Sequence, residues 1–135
     1  MRVALDTNVV VAAFATRGLC SDLLLALVAQ HSVIIPEPAV AEIERAFAAK
    51  LRFLRNQIAQ IVAYLRDVAE ISQSVPYSAV AKLDREDAAI VSSAARAGAE
   101  AFVTGDQKVL AAGKFESMVI LSPRAMWERL SKSPA

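Results

Sequence analysis

Asp6, Glu42, Asp87 and Asp106 are the side chains whose type and placement could do chemistry. Asp6 closes the apolar run 3–5, and Asp106 follows Phe102-Val103-Thr104-Gly105. Glu42 lies about one turn into a stretch opened by Glu37-Pro38, and Asp87, with Asp84 just before it, opens the stretch 88–97. An ionised carboxylate at the end of a buried run costs desolvation unless a cation, a hydrogen-bond donor or water meets it. Like charges gathered at one place raise each other's pKa, so such a set persists mainly where a hard cation neutralises it. Oxygen donors without cysteine or a histidine set point to Mg²⁺ or Mn²⁺ rather than zinc. A divalent carboxylate site lowers the pKa of a bound water, aligns it with a phosphodiester phosphorus and stabilises the leaving oxygen, so no covalent nucleophile is needed. Asp84 is a further candidate ligand, with the capping of a turn as its other reading. Glu86 reads as an acid in a first helical turn, and His31, the lone histidine, as structural or exposed.

Those acids reach one place only if the elements that carry them are arranged for it. Residues 3–5 read as a central strand, because a run of Val, Ala and Leu without alternation suits a strand covered on both faces. A short helix over 9–15 ends at Thr16-Arg17-Gly18, and Ser21 suits the N-cap of a helix over 22–30. Residues 32–35 form a second buried strand closed by Pro36, and Glu37-Pro38 opens the next helix, with Val40, Ile43 and Phe47 on one side. A further helix over 53–68 carries Leu54, Ile58, Ile61 and Leu65 on its apolar side. Residues 69–75 read as an edge strand, Pro76 and Tyr77 start a loop, and 88–97 form a small-residue helix ended by Gly98. Residues 102–103 and 118–121 are strands around a brief helix at 109–112, and Ser122-Pro123 starts a terminal helix through 130. Strands alternating with helices predict a three-layer α/β/α domain with a mainly parallel sheet. In such a sheet Asp6 and Asp106 both leave the C-terminal edge, and the helices bearing Glu42 and Asp87 start at that edge, so four segments deliver carboxylates to one rim.

Composition bounds the rest. A chain of 135 residues is expected to form one domain, here 1–131, with 132–135 as a disordered tail. Hydrophobic residues reach 56% with only 6% aromatic, so the core is built of Ala, Val, Leu and Ile. Fifteen Lys and Arg against fourteen Asp and Glu leave a formal charge of +1, which neither announces nor excludes nucleic-acid binding. The basic residues are not evenly spread: Arg45, Lys50, Arg52, Arg55 and Arg66 follow the polar side of two successive helices. They read either as a solvated face or as a basic rim beside the acids that holds a phosphate backbone. The single cysteine, Cys20, reads as a small buried residue near a helix start and fits a reducing compartment. No signal peptide and no membrane-spanning stretch is read, so a cytoplasmic location is expected.

Asp6-Thr7-Asn8-Val9 after an N-terminal strand, Glu42 within Ala39-Val-Ala-Glu-Ile-Glu44, Asp84-Arg-Glu-Asp-Ala-Ala-Ile-Val91 and Phe102-Val-Thr-Gly-Asp106 together resemble the PIN-domain nucleases. The order and spacing fit over essentially the whole chain, to about residue 130. The size resembles the toxin components of bacterial type II toxin–antitoxin systems, the VapC-like ribonucleases. That resemblance implies PIN topology, dependence on Mg²⁺ or Mn²⁺, endonucleolytic cleavage of RNA leaving a 5′-phosphate and a 3′-hydroxyl, a homodimer, and inhibition by a small antitoxin. It implies Asp6 as the central metal ligand, completed by Glu42 and Asp87, with Asp106 holding metal directly or through water. Asn8 and Thr104 would orient the acids and the attacking water, and Ser21 is a weaker candidate for a polar contact near the site. Arg45, Lys50, Arg52 and Arg55 would form the substrate rim.

Three other readings fit the same residues. A metal-dependent DNA nuclease shares the same chemistry. A haloacid-dehalogenase-like phosphohydrolase also uses an Asp after its first strand but needs a second Asp two residues on, where this chain has Asn8. A catalytically silent PIN-like binding domain would be expected to have lost at least one of the four acids.

Overall fold

The computed structural model describes residues 1–76, 80 and 82–132. Its elements are β1 (Arg2–Leu5), α1 (Thr7–Ala15), α2 (Leu19–Gln30), β2 (Ser32–Pro36), α3 (Glu37–Ala49), α4 (Arg55–Val68) and β3 (Ala69–Ser72). They continue with α5 (Arg85–Arg96), β4 (Ala101–Val103), α6 (Gln107–Leu110), β5 (Lys114–Phe115), β6 (Met118–Leu121) and α7 (Pro123–Lys132). The alternation of apolar runs with helical periods produces the expected α/β domain. The six strands form one sheet in the order β3-β2-β1-β4-β6-β5, parallel except for the β5–β6 pair.

That order places the site. From β1 the chain builds outward through β2 to β3, then returns to the other side of β1 to lay down β4. The β1–β4 boundary is therefore a topological switch point, and the connections diverge there to leave a crevice beyond the strands' carboxyl ends. Leu5 is paired with Val103, so the next residues of both strands, Asp6 and Thr104, leave the sheet side by side.

The central strands are apolar throughout because both their faces are covered. Val3, Ala4, Leu5, Ile34, Phe102 and Val103 are all buried, and Phe47, Leu23, Leu27, Ile90 and Met126 pack over them from the helices. Four of the eight aromatic residues form one cluster. Phe14 meets Phe47 edge-on at 5.9 Å and Tyr64 at 6.2 Å, and Phe47 stacks on Phe53 at 5.5 Å, joining α1, α3 and the start of α4.

Several local expectations are corrected. Ser21 does not cap α2; the helix begins two residues earlier, after Gly18, so Ser21 lies inside it. Leu54 precedes α4 and is 65% exposed, while Gln57 Oε1 turns back to accept the Leu54 N–H at 2.7 Å, which starts the helix by a polar contact. Strand β3 is at a sheet edge but stops at Ser72. Helix α5 starts at Arg85 rather than 88, because Asp84 caps it through the Asp87 N–H at 2.8 Å. Cys20 is only half-buried. The two-residue strand β5 has no signature in the sequence, since Lys114-Phe115 shows neither alternation nor an apolar run. Helix α7 extends to Lys132; Tyr77 and the tail residues 133–135 fall outside the described residues. Among the described residues no single helix is long and apolar enough to cross a membrane.

Phe102 stands at the centre of the sheet with no exposed surface. Phe102→Ala is expected to cost about 3–5 kcal/mol, as core truncations of this size do. A urea melt reads this directly, and a loss under about 1 kcal/mol would show that the strand beside β1 is not the core.

Candidate active site

The β1–α1 junction supplies the centre. Asp6 is the N-cap of α1 and is only 6% exposed. Its Oδ1 accepts from Thr7 N at 2.8 Å, and its Oδ2 accepts from Thr104 Oγ1 at 2.7 Å and Asn8 Nδ2 at 3.3 Å. Thr104, fully buried at the end of β4, also accepts through Oγ1 from Asn8 Nδ2 at 3.3 Å and from Asp106 N at 3.0 Å. That hydroxyl uses its one donor and both acceptor sites. Asn8 Oδ1 accepts from Gly105 N at 2.7 Å, which fixes the orientation of the amide. A Cβ on Gly105 would stand 3.2 Å from that oxygen, tighter than ordinary contact, so glycine leaves the Asn8 amide in place without a shift. Asp106 caps α6, accepting from Lys108 N at 2.8 Å. Two loops from neighbouring strands are thereby tied into one polar network whose unspent charge is the carboxylate of Asp6.

Glu42 on α3 and Asp87 in the first turn of α5 face the same crevice. Asp6, Thr7, Asn8, Val11, Ala12, Glu42, Ala46, Lys50, Asp87 and Asp106 line a single cleft of about 330 Å³. Electrostatics tie the acids together independently of the cleft. Burial raises the Asp6 carboxyl above its ordinary range, against the pull of its hydrogen bonds and with a further push from Asp106. Glu42 is raised by burial, then by Asp6, Glu86 and Asp87, while Arg45 acts the other way. Asp87 is pushed up to about 6 by burial and by Asp84, Asp6, Asp106 and Glu86.

The remaining sequence candidates divide. Asp84 is not among the cleft's lining residues; it caps α5 and acts on Asp87 through space. Ser21 is likewise outside the lining, within α2. Of the basic rim only Lys50 lines the cleft; Arg52 and Arg55 are exposed and outside the lining, and Arg45 reaches the site only through its field on Glu42. His31 sits at the C-cap of α2, just before β2 begins, and so at the opposite edge of the sheet. Sequence reasoning missed Thr7, whose Oγ1 is buried without a hydrogen-bond partner, and the small wall residues Val11, Ala12 and Ala46. Helical spacing could have found the latter, since they lie three or four residues from Asn8 and Glu42.

The donor set fits a hard divalent cation: oxygens only, mutually repelling, with one orphaned hydroxyl beside Asp6. As they stand, no three His, Cys, Asp or Glu side chains among the described residues close on one point. Glu42 and Asp87 are both partly exposed on the wall of the cleft. Asn8 spends its amide on Asp6, Thr104 and Gly105 and has no proton to exchange, so a phosphohydrolase that needs an acid at this position is not supported.

Because the folded protein holds the Asp87 proton more tightly than the unfolded chain, this group adds stability that is complete below 3.8 and is lost as pH rises through about 6. In EDTA at about pH 7.5, Asp87→Asn is expected to melt above the wild type, with the gain shrinking as the pH falls below about 6. A variant that melts lower than wild type across that range would show that the acids do not repel one another.

Comparison with known proteins agrees with this geometry. The sequence profile of the PIN domain matches residues 2–108. Among curated proteins none matches the chain. The structure is similar to the crystal structure of VapBC2 from Rickettsia felis bound to a DNA fragment from their promoter, with a TM-score of 0.65 at 17% identity over 90% of this chain and 98% of that one. It is also similar to PAE2754 from Pyrobaculum aerophilum, with a TM-score of 0.68 at 15% identity over 98% of this chain and 91% of that one. With the profile spanning most of its length and its motifs falling on the cleft, the chain belongs to the PIN domain family.

Proposed function

We propose that the protein is a Mg²⁺- or Mn²⁺-dependent endoribonuclease that hydrolyses RNA phosphodiester bonds. One observation carries the reading: four acids from four separate segments line one cleft at the sheet's switch point. Asp6, Glu42 and Asp87 would hold the metal, with Asp106 as a direct or water-bridged fourth. A divalent ion held by these residues would lower the pKa of a water and offset negative charge on the leaving oxygen. The chain's own groups do the rest. Thr104 and Asn8 hold the Asp6 carboxylate in one orientation. A divalent ion held there would offset the repulsion among Asp6, Glu42, Asp87 and Asp106 that raises the Asp87 carboxyl.

The choice of RNA rests on the likeness of the four motifs to the VapC-like ribonucleases. By the same likeness, and by the shared fold with a protein solved within a VapBC2 assembly, the protein would be the toxin of a toxin–antitoxin pair, bound by a small antitoxin. It would act in the cytoplasm as a homodimer.

Labelled RNA and DNA incubated with the protein in Mg²⁺, Mn²⁺ or EDTA test the reaction. Metal-dependent RNA cleavage is expected, with Asp6→Asn losing more than about a hundredfold, beyond what loss of an outer partner costs, and Asp106→Asn at least about tenfold. Cleavage confined to DNA would replace the substrate; no cleavage of any strand by folded protein would sink the reading. Thr104→Val, which removes only the orienting hydroxyl, is expected to cost about 10–100-fold in activity or metal affinity. Wild-type behaviour of that variant would mean that Asp6 does not need its support.

A further inference from the structure

The walls of the cleft are two helical faces that meet at the acids. On α1 the face is Asn8, Val11 and Ala12, and on α3 it is Glu42, Ala46 and Lys50. Spacings of three and four residues put each set on one side of its helix. Along α3 the chemistry changes in order: an acid near the helix start, a small residue one turn on, and a cation at the C-cap. From Glu42 to Lys50 the helix rises about 12 Å.

Lys50 is the single cation among the cleft's lining residues, and it has no ion-pair partner among the described residues. It also stands where α3 presents the negative end of its dipole, which by itself would repel a phosphate. Between it and the acids the trough is lined by Val11, Ala12 and Ala46, short apolar side chains that leave room for a sugar or base and offer it no charge. Lys50 thus leaves the helix about two turns beyond Glu42, at the far end of the wall that α3 gives to the cleft.

We propose that Lys50 is the anchor for a second phosphate of a single-stranded substrate, so that the strand runs along α3 from the acids to this lysine, across Ala46. This rests on the nuclease reading above, and it assigns direction and footprint to that site. The other basic residues of these helices then supply only diffuse attraction, since none of them lines the trough.

The test is binding of a short fluorescent single-stranded RNA to the full chain in EDTA, followed by anisotropy at several salt concentrations. Lys50→Ala is expected to weaken binding and to reduce the slope of log affinity against log salt by about 0.7, the value of one phosphate contact on a single strand. Lys50→Arg should restore both. Ala46→Leu narrows the trough without changing charge and should weaken binding with the slope kept. Arg66→Ala, on exposed α4 surface outside the cleft, should lower both much less than Lys50→Ala does. Wild-type affinity and slope in Lys50→Ala, an equal loss in Arg66→Ala, or wild-type binding by Ala46→Leu would each overturn the proposal. If those results came with metal-dependent RNA cleavage by the wild type, the nuclease reading would stand without this track. A wild type that neither binds nor cuts single strands would end both.

Discussion

A carboxylate buried beside other carboxylates is the constraint on which this fold turns. Asp6 is taken out of water at the end of the central strand, and burial alone would drive it to its neutral form. Three donors oppose that: the Thr7 N–H, the Thr104 hydroxyl and the Asn8 amide. Those donors come from both sides of the β1–β4 boundary. The network that steadies the charge therefore also sets how the two strand ends sit, and the register of Leu5 with Val103 fixes which residues can take part.

The surroundings follow from that junction. Placing β4 beside β1 rather than beyond β3 opens the crevice, and the helices bordering it bring Glu42 and Asp87 as a consequence of topology. The resulting site is not at rest electrostatically. Its members raise one another's pKa, and Arg45 opposes this at Glu42. A structure that keeps repelling acids on a cleft wall is spending stability on function, which is the pattern expected of a metal-dependent site.

Much of this was legible in the residues. The buried strands announced themselves as unbroken apolar runs, and Asp6 and Asp106 as charges where such runs stop. The roles of Asn8 and Thr104 as supports for Asp6 came from the family resemblance and not from the residues alone; the parallel pairing of β1 with β4 brings them within hydrogen-bonding reach. What stayed hidden depends on contacts between distant segments or on capping geometry. Ser21 looked like an N-cap by residue type, but the helix starts at Leu19 after Gly18, with no side-chain cap, so Ser21 falls in its first turn. The ambiguity at Asp84 was one of geometry: a carboxylate three residues before a helical N–H can cap or coordinate, and here it caps. The basic array could not be sorted by sequence because Lys50 differs from Arg52 and Arg55 only in where the helix end places it.

The central claim is that the clustered carboxylates exist to hold a divalent ion, and calorimetric titration of the metal-free protein with Mn²⁺ tests it most directly. Saturable binding that releases protons near pH 6 and disappears in a folded Asp6→Asn protein is the predicted result. Absence of binding, or binding unchanged when Asp6 loses its charge, would contradict the account.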